Sequence, residues 1–275
     1  MKTKFFVVIS ALLLVIHVDV VRAGEVDTVA IYSHAMDKPF SAVIVIPDGY
    51  QISQENYPVV YLLHGWSGDY SNWATHTDLG PYADKYNLIL VCPDGGYAGW
   101  YVDSPFVKDS QYETYIAKEV VAYMDTNYRT ITTTKGRALT GLSMGGHGAI
   151  SLLCKYPDEY IAAGSMSGVL DLTFSTKKYG LKELLGDYKK YPENWEYNSC
   201  MNLVENLRGY ERGVLIDDGV NDFVIEINRA MHHKLLGMDY PHDYIERPGK
   251  HTWDYWIRVL DYHLMFLSEW LAQAS

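Results

Sequence analysis

A serine hydroxyl attacks a carbonyl when an imidazole takes its proton and a carboxylate holds that imidazole in place. Three stretches of this sequence supply such groups, in the order serine, aspartate, histidine. Gly141-Leu142-Ser143-Met144-Gly145 spells G-x-S-x-G, which between a strand and a helix is a sharp turn holding its serine in a strained conformation above a sheet. Glycines at 141 and 145 remove the Cβ atoms that would collide where strand and helix meet. Downstream, Val214-Leu215-Ile216-Asp217-Asp218-Gly219-Val220-Asn221-Asp222 runs an apolar strand pattern into a loop with three carboxylates. Arg247-Pro248-Gly249-Lys250-His251-Thr252-Trp253 is a Gly/Pro loop that delivers His251 just before a helix pattern. Asp217 lies closest to its strand end and Asp222 at the start of the following helix, and spacing alone does not choose between them. A turn or helix-cap aspartate is the alternative role for each.

The other histidines read differently. His147 follows the serine closely and is expected to pack or bind backbone at the start of its helix, and His64 to support the end of its strand. His232 and His233 are adjacent on a helix pattern and point different ways, so a two-ligand metal face is not expected, and no H-E-x-x-H occurs. Neither a metal nor a cofactor is expected. Trp66, Trp73, Trp100 and Tyr101, joined by Tyr97 and Trp253, fall on loops on the serine's side of the sheet. Trp100, Tyr101 and Trp253 are the substrate-binding candidates, as a wall for a phenolic group or sugar rings. Loop cement is the alternative for any one of them.

These groups need elements to carry them. Residues 26–32 and 42–46 read as two strands forming an antiparallel entry to the sheet. Residues 58–64 and 88–93 are continuous apolar runs ending in turns, as strands buried on both faces should be. Helical stripes follow at 81–86 and 113–128, then the serine strand and helix, a strand at 161–166 and another from 213. A helix at 223–236, a last strand at 243–246 and a closing helix at 253–272 complete the pattern. The alternation from residue 58 onward predicts an α/β fold with a mostly parallel central sheet and helices on both faces. Between 167 and 212 the rhythm breaks into a segment rich in Tyr, Lys, Asn and Glu, either an insertion over the site or a long surface excursion.

The chain has 275 residues, 48% hydrophobic and 21% charged. Lys2 and Lys4 precede an apolar run from residue 5 to 16, and Val21-Arg22-Ala23 offers small residues for cleavage, so residues 1–23 are expected to be a signal peptide. His17, Asp19 and Arg22 cut that run short of the roughly 20 residues a spanning helix needs. The expectation is an exported, secreted or periplasmic, single domain over 24–275 with no lasting membrane insertion. The net charge of −11 repels phosphate backbones, which disfavours nucleic acid as a partner. Cys92, Cys154 and Cys200 show no C-x-x-C spacing, and their pairing and the oligomeric state are not legible.

Tyr61-Leu62-Leu63-His64-Gly65, Gly141 to Gly146, Asp217-Asp218-Gly219-Val220-Asn221-Asp222 and Gly249-Lys250-His251-Thr252-Trp253 together resemble the esterase D family of α/β-hydrolases. That family includes S-formylglutathione hydrolases, feruloyl, acetylxylan and tributyrin esterases, and the antigen 85 mycolyltransferases. Trp100-Tyr101-Val102-Asp103-Ser104-Pro105 resembles the tributyrin and feruloyl branches. The resemblance implies an α/β-hydrolase fold, Ser143 as nucleophile and His251 as base. It implies Asp222 rather than Asp217 as the acid, because the family's D-x-G-x-x-D pattern uses its second aspartate. It also implies the backbone N–H groups of Trp66 and Met144 as oxyanion donors. The function expected is a secreted serine carboxylesterase acting on small-molecule or polysaccharide esters, feruloyl or acetyl esters of plant cell walls or short acyl esters. An antigen 85-type acyltransferase and a non-catalytic carbohydrate binder are the alternatives.

Overall fold

The structure, a computed structural model, describes residues 25–272; the expected signal peptide at 1–23 lies outside them. An eight-stranded sheet has the order β1-β2-β4-β3-β5-β6-β7-β8. The strands are β1 (Glu25–Ser33), β2 (Lys38–Ile46), β3 (Val59–Leu63), β4 (Ile89–Pro93), β5 (Arg137–Leu142), β6 (Ala162–Met166), β7 (Gly213–Gly219) and β8 (Asp243–Arg247). β1 pairs β2 and β2 pairs β4 antiparallel, while every pairing from β4 through β3 to β8 is parallel.

Strand periodicity sends alternate residues to two helical layers. On β3, Val59, Tyr61 and Leu63 join one apolar cluster with Ile150 and Leu153 of the Met144–Lys155 helix and Met231 of the Ile225–Gly237 helix. Val60 and Leu62 join the other, with Ala83 of the Gly80–Tyr86 helix and Val259, Leu260 and Leu267 of the closing Trp253–Ala272 helix. Burial on both faces explains why β3 and β4 read as unbroken apolar runs. The helical stripe after residue 112 forms one helix over 112–127 with a π-type turn at Tyr115–Val120. Because parallel strands share a direction, the loops after β3, β5, β7 and β8 leave at the same edge, where a site can be assembled.

Residues 167–212 leave the sheet as short helices at Leu181–Leu185, Pro192–Asn198 and Cys200–Leu203. They are pinned by Ser104 Oγ on Leu184 O at 2.7 Å and by His147 Nε2 on Asn198 O at 2.8 Å. Cys92, Cys154 and Cys200 are all buried free thiols. Among the described residues, no helix is long and apolar enough to cross a membrane.

Two buried imidazoles are held neutral. Thr140 Oγ1 donates to Gly164 O at 3.1 Å, so it accepts from His263 Nδ1–H at 2.9 Å. Burial, then the charge of Arg247, pushes the His263 pKa down to about 3, and burial first of all pushes that of His147 down to about 4. Both groups protonate more readily when unfolded, so their stabilisation is complete above the unfolded value of about 6.5 and is lost as pH falls towards the folded values. The difference in unfolding free energy between wild type and His263→Gln, read from urea titrations, should therefore shrink by about 2 kcal/mol between about pH 7 and 5. A difference that stays constant over that range would contradict neutral burial.

Candidate active site

Ser143 closes β5 with φ 55° and ψ −114°, a backbone conformation costing a non-glycine residue about 1–3 kcal/mol. The turn is tight because a Cβ on Gly145 would stand 2.3 Å from Leu63 O, and one on Gly141 2.5 Å from Gly145 O. Hydrogen bonds keep the strain from relaxing. Ser143 N–H donates to Met166 O at 2.9 Å, and Ser143 O accepts from His147 N–H at 3.1 Å and Val169 N–H at 3.3 Å.

The loop after β8 brings His251 Nε2 to 2.9 Å from Ser143 Oγ. On the other side of the ring, Nδ1 lies 2.9 and 3.0 Å from the two oxygens of Asp222. A carboxylate can only accept, so Nδ1 carries the proton and the Nε2 lone pair faces the serine. Phe223 and Trp256 flank the imidazole, at ring-centroid distances of 4.5 and 5.0 Å. Burial pushes the Asp222 carboxyl up, but the hydrogen bond and charge of His251 and the Val224 N–H outweigh it and leave the group below its ordinary range.

Asp217 is directed elsewhere. Adjacent residues on β7 point to opposite faces, and Asp217 meets Arg247 Nε at 3.0 Å and the Tyr255 hydroxyl under the closing helix. Of the two aspartates that spacing left open, Asp222 faces His251.

The turn after β3 is packed onto the serine turn, since a Cβ on Gly65 would lie 2.6 Å from Leu142 Cδ1 and 3.5 Å from Ser143 Cβ. His64 fixes that turn from below. Its Nε2 accepts from Gly95 N–H at 2.8 Å, which makes Nδ1 the donor to Gly65 O at 2.9 Å. Met144 opens its helix, where no carbonyl of the same helix is available to its N–H.

A cleft of about 650 Å³ opens above Ser143 and His251. Trp66 and Trp253 line it, as do Phe174, Tyr179, Phe223 and Trp256, which the sequence reading did not select, while Trp100 is 1% exposed and lies beneath this wall. Tyr101 must be corrected: it is fully buried, its hydroxyl donating to His64 O at 3.0 Å. Trp100 and Tyr101 are consecutive residues at positive φ. The tyrosine ring fills the space left by Gly95 and Gly148, where a Cβ would come within 2.4 Å of it. Trp73 is likewise buried, with Nε1 on Leu63 O at 3.2 Å and its ring edge-on to Trp253. Tyr97 stays exposed and meets Trp66 at 5.2 Å between centroids. Phe174 and Tyr179 come from the 167–212 segment, and Trp100 Nε1 donates to Tyr179 O at 2.8 Å. Only the aromatic content of that segment signalled them. Among the described residues, no group of three or more His, Cys, Asp or Glu could hold a metal ion.

The strand order, the serine turn between β5 and its helix, and a histidine returning from the loop after the last strand define an α/β-hydrolase. The chain belongs to the esterase family, whose model matches residues 33–267. Esterase Rv1288 of Mycobacterium tuberculosis is 30% identical over 236 residues, 76% of this chain and 52% of that protein, so the chain spans about half its length. Over 131 residues the chain is 34% identical to the diacylglycerol acyltransferase/mycolyltransferase Ag85A of Mycobacterium leprae, 44% of this chain and 39% of that one. A solved ferulic acid esterase superposes with a TM-score of 0.77 at 25% identity, covering 90% of this chain and 98% of that one. These agree with the esterase D resemblance drawn from the four motifs.

Asp217 is fully buried and its ion-pair partner is Arg247. Removing one partner of such a pair strands the other charge. Arg247→Met should lower unfolding free energy by about 3 kcal/mol at pH 8. The loss should shrink as pH falls, because burial already raises the Asp217 pKa and the orphaned carboxyl can take up a proton. An unchanged urea midpoint at pH 8 would contradict this role for Arg247.

Proposed function

We propose that this protein hydrolyses carboxylic esters through an acyl-enzyme on Ser143, with His251 as base and Asp222 as its orienting acid. The observation that carries the reading is the contact of His251 Nε2 with Ser143 Oγ at 2.9 Å while Nδ1 is held by Asp222. As Ser143 Oγ bonds to the ester carbonyl carbon, its proton passes to Nε2 and the carbonyl oxygen gains the negative charge. The N–H groups of Trp66 and Met144 receive that oxyanion, on a turn already fixed by His64 and Gly65 and therefore needing little rearrangement. Collapse of the intermediate returns the Nε2 proton to the departing alkoxide. Water then repeats the sequence on the acyl-enzyme, giving the free acid and regenerating Ser143. Asp222 stabilises the imidazolium in both halves.

The cleft is walled by aromatic rings, with Asn72, Ser67 and Thr252 among its polar groups. Such a lining suits a planar acyl group or the apolar faces of sugar rings. Feruloyl or acetyl esters of plant cell-wall polysaccharide, or short acyl esters, are the substrates we propose, with Trp253 among the binding residues and Trp100 supporting the wall from beneath. The signal-like leader supports an exported enzyme. A second reading, acyl transfer to a sugar by the same serine, is favoured by the partial match to Ag85A.

Ser143→Ala should abolish hydrolysis of a nitrophenyl butyrate and labelling by a fluorophosphonate. Asp222→Asn should lower kcat by about 10⁴-fold with a near-native melting temperature. Full activity in either variant would refute the mechanism. Product analysis with a sugar acceptor present separates hydrolysis from transfer, and equal indifference to methyl ferulate and acetylated xylan would exclude the cell-wall substrates.

A further inference from the structure

Asp218 occupies the unspecified position of the D-x-G-x-x-D pattern, and the mechanism above gives it no part. Its side chain has no access to water. Oδ1 accepts from Gly219 N–H at 2.7 Å and Oδ2 from Asn228 Nδ2 at 2.8 Å. Asn228 comes from the Ile225–Gly237 helix and also donates to Gly168 O and Val224 O, so it ties the carboxyl to two backbone segments beside the site. The carboxyl group neighbours that of Asp222 and the Ser167 hydroxyl, and both act on its charge. Ser167 is itself buried, at φ 50°, and accepts from Trp256 Nε1 at 3.1 Å.

The surrounding charges do not balance three carboxylates. Asp217 from β7 is taken by Arg247 from β8, and Asp222 by His251 from the loop after β8. Tyr244 of β8 and Tyr255 of the closing helix are neutral phenols raised above their ordinary range mainly by burial, their hydroxyls turned to Glu246 and Asp217, so neither supplies a positive charge. Among the described residues no cation is paired with Asp218. A buried carboxylate without a cation is costly, and two carboxylates in contact cannot both ionise cheaply.

We propose that Asp218 is a positioning residue, a protonated carboxyl group that donates a hydrogen bond to the Asp222 carboxylate and holds it against His251. The proposal rests on Asp222 serving as the catalytic acid. Burial, then the charge of Asp222, pushes the Asp218 carboxyl up to about 8, so the donor is present at neutral pH. Above that value the proton leaves, the hydrogen bond becomes a repulsion, and Asp222 is driven off the imidazole.

The test is the pH dependence of kcat and KM on a short-chain ester. Wild-type kcat should decline on the alkaline side with a midpoint near about pH 8. Asp218→Asn, isosteric and permanently neutral, should keep kcat near neutrality within about threefold and lose that decline. Asp218→Ala should lower kcat about tenfold at unchanged KM across the range. The same alkaline decline in Asp218→Asn as in wild type would overturn the proposal, because a merely structural residue would leave the profile unmoved. If the asparagine variant does not fold, infrared spectra of the wild type decide. A protonated carboxylic acid band present at neutral pH and lost in step with kcat supports the proposal, and its absence overturns it. Activity surviving in Asp222→Asn would instead refute the triad, which keeps the two failures apart.

Discussion

Backbone collision between β3, β5 and the helix that follows Ser143 governs the rest of the molecule. At the Ser143 turn the chain reverses from strand to helix within a few residues, and any Cβ at 141 or 145 would overlap backbone at about 2.5 Å or less. The serine pays for this geometry with a strained φ. What it gains is a hydroxyl raised above the sheet at the start of a helix, whose first N–H groups have no carbonyl of their own helix to bond. The hydrogen bond that Ser143 N–H donates to Met166 O and those that Ser143 O accepts from His147 and Val169 hold the strain, because β6 and the segment after it are already packed alongside.

Around that turn, neutrality and charge are distributed by burial. His64, His147 and His263 are buried imidazoles serving as fixed donors and acceptors. His64 locks the Gly65 turn, His147 ties the serine helix to the 167–212 segment, and His263 braces β5 and β6. Among the described histidines, His251 is the one that lines the cleft, with a carboxylate on one nitrogen and the serine on the other. The end of β7 supplies three acids to this region, and their surroundings separate them. Asp217 meets a guanidinium, Asp222 an imidazole and Asp218 an amide and a backbone N–H.

The cleft is an assembly of loops, and aromatic contacts join them. Tyr97, Trp66, Tyr179, Phe174 and Phe223 touch in succession along one side, ending on His251. Trp256, Trp253 and His76 continue along the other. Loops with few regular backbone hydrogen bonds are thereby held in place by large apolar contacts and edge-to-face packing.

Much of this was legible in the chain. Continuous apolar runs ending in turns marked the inner strands, and glycines at 141 and 145 marked close approach. The order of Ser143, the β7 aspartates and His251 followed from loops that all leave one edge of a parallel sheet. Local patterns encode these features because strand period, turn chemistry and steric collision act over a few residues. The identity of the aspartate facing His251 does not lie in spacing, since residues 217, 218 and 222 are close in sequence and of the same chemistry. Only the tertiary fold separates them, through strand alternation and the positions of Arg247, Asn228 and His251 on distant segments. The same holds for the aromatic loops. Trp100 and Tyr101 are neighbours of similar character, both buried, and a left-handed turn together with the voids at Gly95 and Gly148 sets one beneath the cleft wall and the other into the core.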